Sequence, residues 1–223
     1  MGRRRKAKGK GTFSGAVFVL LIGLTLWVRW RDGAVEWLPG EVVEPELGRF
    51  ETVGGFQWFG DCRLVDERGN DGDSFRVSVG GDEIVVRLYF VDAAESYVNP
   101  RGYNRERLAD QGEYFGGLGQ GETVLLGQEA KKVVLGALGG GGFEVYTKWQ
   151  RVFDSERMYG FVRFTGGEWE GQYLSEVLVA RGLARIHTTG ADLPDGTSEG
   201  AFERRLGELE EGAKAGRVGA WGR

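Results

Sequence analysis

The sequence has a single cysteine, Cys62, and a single histidine, His187, among its 223 residues. A lone cysteine excludes a disulfide within the chain, so cysteine usage says nothing about the redox compartment. We interpret Cys62 as a small buried residue rather than a nucleophile. One histidine cannot supply a histidine-rich metal site, and we interpret His187 as a loop or strand-end residue. The sequence also has no internal repeat.

Glycine, in contrast, is abundant, with 40 residues or about 18% of the chain against a usual ~7%. This glycine content predicts many loops. Hydrophobic residues make up 41% of the chain and aromatic residues 12%, which is ample for a core and excludes a disordered chain. A length of 223 residues suits one domain with extensions.

The N-terminal stretch has the pattern of a membrane segment. Residues 1–10 hold six basic side chains, and an apolar run follows that is uncharged over 11–28. We predict an anchor over 11–30, because such a run approaches the roughly 20 residues that span a bilayer. Trp27 and Trp30 suit the membrane interface. No small-residue cleavage motif follows, which favours an anchor over a cleaved signal peptide.

The basic residues before the run predict the topology of the chain. By the positive-inside rule, the tail at 1–10 lies in the cytoplasm and the domain lies on the far side of the membrane. Cleavage would instead give a secreted domain. The basic tail could alternatively bind nucleic acid. Residues 31–55 are acidic and broken by proline and glycine, so we expect a linker there and a folded domain over 56–223.

Residues 71–96 form the stretch with the clearest pattern. Ser74–Val79 alternates apolar and polar residues as a half-buried strand does. Gly80 and Gly81 suit a hairpin turn, and residues 84–91 read as a second strand with Arg87 inside it. Asp73, Asp92 and Glu95 stand at the strand ends. Hard oxygen ligands of this kind suit calcium, and a nearby arginine suits phosphate.

This stretch resembles the staphylococcal nuclease (thermonuclease) family. The family's Asp-Gly-Asp-Thr/Ser turn corresponds to residues 71–74, and its Arg-Leu-x-x-Val-Asp-x-x-Glu strand corresponds to residues 87–95. Residues 182–186, Gly-Leu-Ala-Arg-Ile, and the terminal Gly-Ala-Trp at 219–221 are similar to further family elements. The resemblance covers residues 56–221. It implies an α+β fold, mainly β, with a five-stranded OB-type barrel and about three helices.

The remaining patterns agree with that order of elements. Strands are expected at 56–65, 143–152 and 159–164. Helices are expected at 128–138, 173–180 and 202–215, where apolar residues recur at helical spacing. The connection at 96–127 is longer than the family usually has. It could shape access to the site or merely pack over the barrel.

The resemblance also implies a calcium-dependent nuclease site. Asp73 and Asp92 would be carboxylate ligands of Ca²⁺, and Ala93 would supply its backbone carbonyl. Glu95 would orient or deprotonate the attacking water. Arg87 and Arg157 would hold the phosphate and stabilise the charge that develops on it.

Several of these roles have alternatives in the sequence itself. Arg87 could instead be an ion-pair partner of Asp73 or Asp92. Arg151 and Arg163 compete with Arg157, because the family pattern before Arg157 is replaced by Asp-Ser-Glu. Asp71 reads as turn chemistry rather than as a ligand. The tyrosines that contact nucleotide in the family are absent after Ile186, where the chain reads His-Thr-Thr-Gly.

The charge distribution is unusual for a protein that binds DNA or RNA. Residues 33–223 hold 21 Lys and Arg against 32 Asp and Glu, a net charge of −11. Non-specific binding of nucleic acid draws on basic surface. The sequence therefore predicts either a local basic patch or modest affinity. We expect a membrane-anchored nuclease acting on DNA or RNA, preferably single-stranded. The alternative is an inactive OB-type module that binds nucleic acid or a protein partner.

Overall fold

The structure, a computed structural model, describes residues 51–223. The predicted basic tail at 1–10, the predicted anchor at 11–30 and most of the predicted linker lie outside these residues. Within the described part of the chain, no helix has both the length and the apolar character needed to span a membrane. Residues 51–55, assigned to the linker from the sequence, include a short strand and its turn.

The described residues contain nine strands, four α-helices and a final 3-10 helix. The strands are β1 (Glu51–Val53), β2 (Phe56–Phe59), β3 (Arg63–Leu64), β4 (Ser74–Val79), β5 (Asp82–Leu88), β6 (Val91–Ala93), β7 (Phe143–Arg151), β8 (Arg157–Phe164) and β9 (Ala184–Ile186). The helices are α1 (Arg105–Tyr114), α2 (Gln120–Gly139), α3 (Leu174–Ala180), α4 (Glu199–Gly216) and the 3-10 helix Gly219–Gly222.

Seven strands form one sheet in the order β1-β2-β7-β8-β5-β4-β3, and β6 pairs with β9 in a separate two-stranded sheet. All pairs are antiparallel except β5 and β8, which run parallel. The predicted mixed α+β class is confirmed. Within residues 51–223 the larger sheet is open and no closed barrel is found, and the predicted first strand at 56–65 is split into β2 and β3. Four α-helices form instead of about three.

The predicted hairpin of β4 and β5 is confirmed. Ser74 pairs with Arg87 and Val79 pairs with Asp82, while Gly80 and Gly81 supply the positive φ angles of the turn, 60° and 103°. This register places Arg87 opposite Ser74, the first residue of β4, which directly follows Asp73 in the chain. The glycine turn thus fixes the relation between the first predicted carboxylate and the predicted arginine.

The prediction of one strand over 84–91 was wrong at its end. The strand stops at Leu88, and Phe90 takes a left-handed conformation with φ of 68°. The backbone of Phe90 donates a hydrogen bond to the Thr189 carbonyl (3.0 Å) and accepts one from His187 (2.8 Å). These contacts turn the chain away from the large sheet, so β6 pairs with β9 instead.

Helix α2 begins earlier than the predicted 128–138. Its first turn is stabilised by the Glu122 side chain, which accepts a hydrogen bond from the Gly119 N–H (3.0 Å). Gly127 packs this helix onto the chain after β6. A Cβ at Gly127 would lie 2.4 Å from the Ala94 carbonyl oxygen and 2.5 Å from that of Glu95. The absence of a side chain therefore lets α2 approach the backbone next to Glu95.

Cys62 lies in the core, with 1% of its surface exposed. Burial raises the pKa of its thiol to about 12. Because the thiolate is the reactive form, we expect Cys62 to resist iodoacetamide at about pH 8 in the native protein and to react in urea. Intact mass spectrometry of both samples checks this. Fast modification of the folded protein would contradict the structural interpretation of Cys62.

Candidate active site

Four of the six predicted site residues, Asp73, Arg87, Glu95 and Arg157, line one cleft of about 1040 Å³. Asp92 and Ala93, the other two predicted calcium ligands, are buried and are not among its lining residues. Asp73 precedes β4, Arg87 lies in β5, Glu95 follows β6, and Arg157 begins β8. Three adjacent strands of the larger sheet and the smaller sheet therefore contribute to one surface.

Arg87 holds two of the predicted calcium ligands together. Its Nη1 forms an ion pair with Asp73 Oδ1, and its Nη2 donates to Asp92 Oδ1 at 2.7 Å. Burial lowers the pKa of an arginine, but the two carboxylates outweigh it and hold the pKa of Arg87 above its usual range. The guanidinium thus has the ion-pair role that the sequence left open. Its predicted contact with phosphate stays a prediction.

Asp92 has further partners from distant parts of the chain. Arg185, its partner across β6 and β9, donates from Nε to Asp92 Oδ2 (2.9 Å), and so does Gln111 Nε2 (2.9 Å). Burial raises the pKa of Asp92, but Arg87, Gln111 and Arg185 together hold it below its usual range. Asp92 is therefore a buried, ionised and fully bonded carboxylate.

Glu95 is held by the long connection between β6 and α2. Its Oε1 pairs with Arg107 Nη1 (2.6 Å), and its Oε2 accepts from Asn104 Nδ2 (3.0 Å). The Glu95 N–H donates to Gln111 Oε1 (3.0 Å). The Glu95 side chain remains 16% exposed at the cleft. The carboxylate is thus fixed in position and still reachable by water.

Three of these contacts come from side chains that the sequence interpretation missed: Asn104, Arg107 and Gln111. All three lie at or in α1, within the connection at 96–127. Gln111 is completely buried. The sequence contains only one indication that Gln111 has a specific partner. That indication is the presence of a long polar side chain on the buried face of a short helix.

The oxygen atoms of the buried cluster decide whether a hard cation fits there. Asp73, Asp92 and the Ala93 carbonyl are the oxygen types that Ca²⁺ binds, although residues 51–223 hold no cluster of three or more His, Cys, Asp or Glu side chains that could hold a metal. Asp92 Oδ2 and Ala93 O both accept from Gln111 Nε2, at 2.9 and 3.0 Å. The donor chemistry fits, and a cation on these two atoms would take the place of the Gln111 amide.

The backbone of Ala93 also depends on this cluster. Its N–H donates to Asp73 Oδ2 at 2.7 Å. Next to Asp73, the Ser74 hydroxyl is buried and has no hydrogen-bond partner within residues 51–223. An unsatisfied hydroxyl at the edge of a carboxylate cluster is consistent with a group that binds there.

Arg157 is favoured over its two rivals by position. In β8 it pairs with Val85 of β5, and Tyr159 pairs with Arg87. Because alternate residues of a strand share a face, Arg157 and Arg87 point to the same side of the sheet. Arg163 lies near the far end of β8 and pairs with Glu144 (3.2 Å), and Arg151 ends β7.

Asp71 sits at the rim of the cleft and has the turn role expected for it. Its Oδ1 accepts the N–H of Gly72 at 2.9 Å. Burial, and then the nearby Asp73 carboxylate, raise the pKa of Asp71 to about 6. The raised pKa is the expected result of two carboxylates that share a partly enclosed space.

Comparison of the chain with protein-family profiles gives no match, and comparison with curated proteins gives none either. The resemblance to the staphylococcal nuclease family therefore stays a prediction based on the motifs themselves. What the geometry offers is a cleft with guanidinium groups, one positioned carboxylate that water can reach, and a buried oxygen cluster beneath it.

Proposed function

We propose that the chain is a calcium-dependent nuclease that hydrolyses phosphodiester bonds of DNA or RNA. The observation that carries this proposal is that Asp73, Arg87, Glu95 and Arg157 line one cleft. A phosphodiester is an anion that gains charge when water attacks it, and guanidinium groups stabilise that charge. Residues 11–30 would anchor the protein, with the nuclease domain outside the cytoplasm.

Each of the chain's own groups has a step in this mechanism. Arg157 would bind the non-bridging phosphate oxygens. Arg87 would also bind them when its ion pairs with Asp73 and Asp92 open. Glu95, oriented by Asn104 and Arg107, would accept a proton from water as the water oxygen bonds to phosphorus. The bond from phosphorus to the leaving sugar oxygen then breaks, and that oxygen takes up a proton from solvent water. Calcium on Asp73, Asp92 and Ala93 would supply Lewis-acid stabilisation of the phosphate charge.

We further infer that the larger sheet curls toward the OB-type barrel of the resembling family. In support, β2 pairs with β7 whereas β3 pairs with β4, near opposite ends of the strand order. Only residues 60–62 separate β2 from β3 in the chain. So short a connection draws the two ends of the sheet toward each other.

A second candidate function is an inactive OB-type module that binds nucleic acid or a protein partner. Two observations favour it. Arg87 is paired with both Asp73 and Asp92, and the Gln111 amide donates to two predicted calcium ligands, Asp92 and Ala93. A module of this kind would keep the cluster for stability alone.

Calcium dependence distinguishes the two candidates. We expect the full-length chain to hydrolyse single-stranded DNA or RNA with calcium and to lose this activity in EGTA. Asp92→Asn should weaken calcium binding and activity together, because it removes a charged ligand and loosens the Arg87 pair. Calorimetry and a fluorescent cleavage assay measure the two effects. Asp82→Asn, at the exposed first residue of β5, is the matched control.

The outcomes separate cleanly. Unchanged calcium affinity in Asp92→Asn would remove Asp92 from the site. Hydrolysis that persists in EGTA would indicate a contaminant or a different site. Absence of any calcium-dependent hydrolysis in the parent protein would favour the binding module.

A further inference from the structure

A second surface lies next to the cleft, on the connection between β6 and α1 and the first residue of α1. We call it the tyrosine–arginine surface and define it by Tyr97, Arg101, Tyr103 and Arg105. Tyr97 is 55% exposed and Tyr103 is 78% exposed. Both arginines are exposed, and neither forms an ion pair within residues 51–223. Two exposed tyrosine rings and two exposed guanidinium groups thus lie on one short segment of the chain.

The loop that carries this surface is fixed by hydrogen bonds. Asn104 is 91% buried, with 9% of its surface exposed, and it donates to the Tyr97 carbonyl (2.8 Å). It also accepts from the Asn99 N–H (2.9 Å). Gly102 then donates to the Asn99 carbonyl (2.7 Å). The two exposed tyrosines therefore belong to one ordered turn, so little conformational entropy remains to be lost on binding.

The surface is continuous with the candidate active site. Tyr97 lines the cleft together with Glu95 and Arg107. Asn104, which holds the loop, also donates to Glu95 Oε2 at 3.0 Å. A chain lying across Tyr97 would thus continue into the space beside Glu95.

The charge of this segment is opposite to that of the rest of the domain. Residues 96–107 hold three arginines and one glutamate, whereas residues 33–223 as a whole carry a net charge of −11. Arginine beside exposed aromatic rings is the combination that binds single-stranded nucleic acid, because bases stack on the rings and phosphates contact the cations. A duplex keeps its bases stacked inside and could not use the rings in this way.

We propose that the tyrosine–arginine surface is a subsite for single-stranded nucleic acid, which feeds a strand into the cleft. Bases stack on Tyr97 and Tyr103, and Arg101 and Arg105 contact the flanking phosphates. The contacts use ring faces and backbone charge, so binding does not depend on sequence. The part of this proposal in which the strand enters the cleft rests on the proposed nuclease function. The binding of the strand to the surface is tested independently of cleavage.

The first test measures how much the two tyrosine rings contribute to the affinity for single-stranded nucleic acid. The full-length chain in mild detergent and EGTA, where no cleavage is expected, is titrated with a fluorescent oligothymidylate. Tyr97→Leu and Tyr103→Leu should each weaken binding by roughly 5- to 150-fold, the range for loss of one stacked base. Tyr97→Phe and Tyr103→Phe keep the ring and should bind as the parent does. Equal affinity of the Leu and Phe variants and the parent would overturn the proposal.

The second test measures the contribution of the two arginines through the salt dependence of binding. The double variant Arg101→Gln, Arg105→Gln should reduce the slope of log K against log salt by roughly 0.7 for each phosphate that the protein no longer neutralises. The double variant Arg204→Gln, Arg217→Gln removes two exposed arginines from α4 and its end and should leave the slope unchanged. A slope that changes equally in both, or in neither, would overturn the proposal.

A third measurement separates failure of this inference from failure of the proposed function. Hydrolysis of bis(p-nitrophenyl) phosphate should be the same in the parent and in Tyr103→Leu, whose side chain is not among those that line the cleft, while KM for the oligonucleotide rises in that variant. Unchanged kinetics on both substrates would overturn the subsite alone. No hydrolysis of either substrate by the parent would overturn the nuclease assignment, and the titration in EGTA would still decide the subsite. A Leu variant that no longer binds anionic vesicles but still binds the oligonucleotide as the parent does would assign the surface to a membrane and overturn the proposal.

Discussion

We expect Glu95→Gln to lower the rate of phosphodiester hydrolysis by ~10²–10⁴-fold, the usual worth of a positioned general base. Glutamine has almost the same size, and its one amide oxygen can still accept a hydrogen bond from Arg107 or from Asn104, each of which now binds its own carboxylate oxygen. The side chain would therefore stay at the cleft with one of the two contacts and lose its charge and basicity. Affinity for single-stranded DNA in EGTA should stay close to that of the parent.

Single-turnover cleavage with calcium measures this effect, because it isolates the chemical step from product release. The matched control is Glu113→Gln, an exposed glutamate on the same helix as Arg107. It should cleave at the parental rate. A Glu95→Gln variant with undiminished activity would remove Glu95 from the mechanism.

The second large effect concerns stability and does not depend on the proposed function. Arg87→Met should destabilise the protein by about 3–5 kcal/mol, the cost of breaking a buried ion pair by removing one partner. Asp73 and Asp92 are both buried, with 6% and 5% exposed. Without the guanidinium, Asp73 loses its only ion pair within residues 51–223, while Asp92 keeps Arg185. Arg87→Lys should also be harmful, since one ammonium cannot span both carboxylates.

Urea unfolding followed by circular dichroism gives the free energies of unfolding. Adding Asp73→Asn to Arg87→Met should recover part of the loss, because it removes the uncompensated charge and keeps an acceptor for the Ala93 N–H. Arg204→Met, at an exposed position on α4, should change stability by less than ~0.5 kcal/mol. A loss below ~1 kcal/mol for Arg87→Met would contradict the buried cluster.

The sequence predicted the part of the site whose geometry depends on residues close together in the chain. A two-glycine turn fixes the register of β4 and β5, and that register alone brings Asp73 next to Arg87. Asp92 and Glu95 follow closely after Arg87 in the chain, so a motif read along the sequence includes them, although the bend at Phe90 that precedes Asp92 depends on later residues. The mixed class and most of the longer strands were predictable for the same reason.

What could not be predicted depends on tertiary contacts. Gln111 and Asn104 sit in a connection without a strong hydrophobic period, so nothing local indicates that their amides bind Asp92 and Glu95. Phe90 was expected to continue a strand, since aromatic residues favour strands. Its left-handed conformation is imposed by backbone bonds to residues nearly a hundred positions later, which local propensity cannot anticipate.

That bend at Phe90 has a consequence for how the protein is made. Strand β6, which carries Asp92, pairs with β9 at residues 184–186, and Arg185 in β9 completes the partners of Asp92. A ribosome will therefore have synthesised most of the domain before the carboxylate cluster can assemble, because its last positive charge emerges so late. A nascent chain that stops after β8 holds Asp73 and Arg87 in their hairpin but has nothing to pair with β6. The proposed catalytic site is thus completed only after the segments that form the larger sheet have been synthesised.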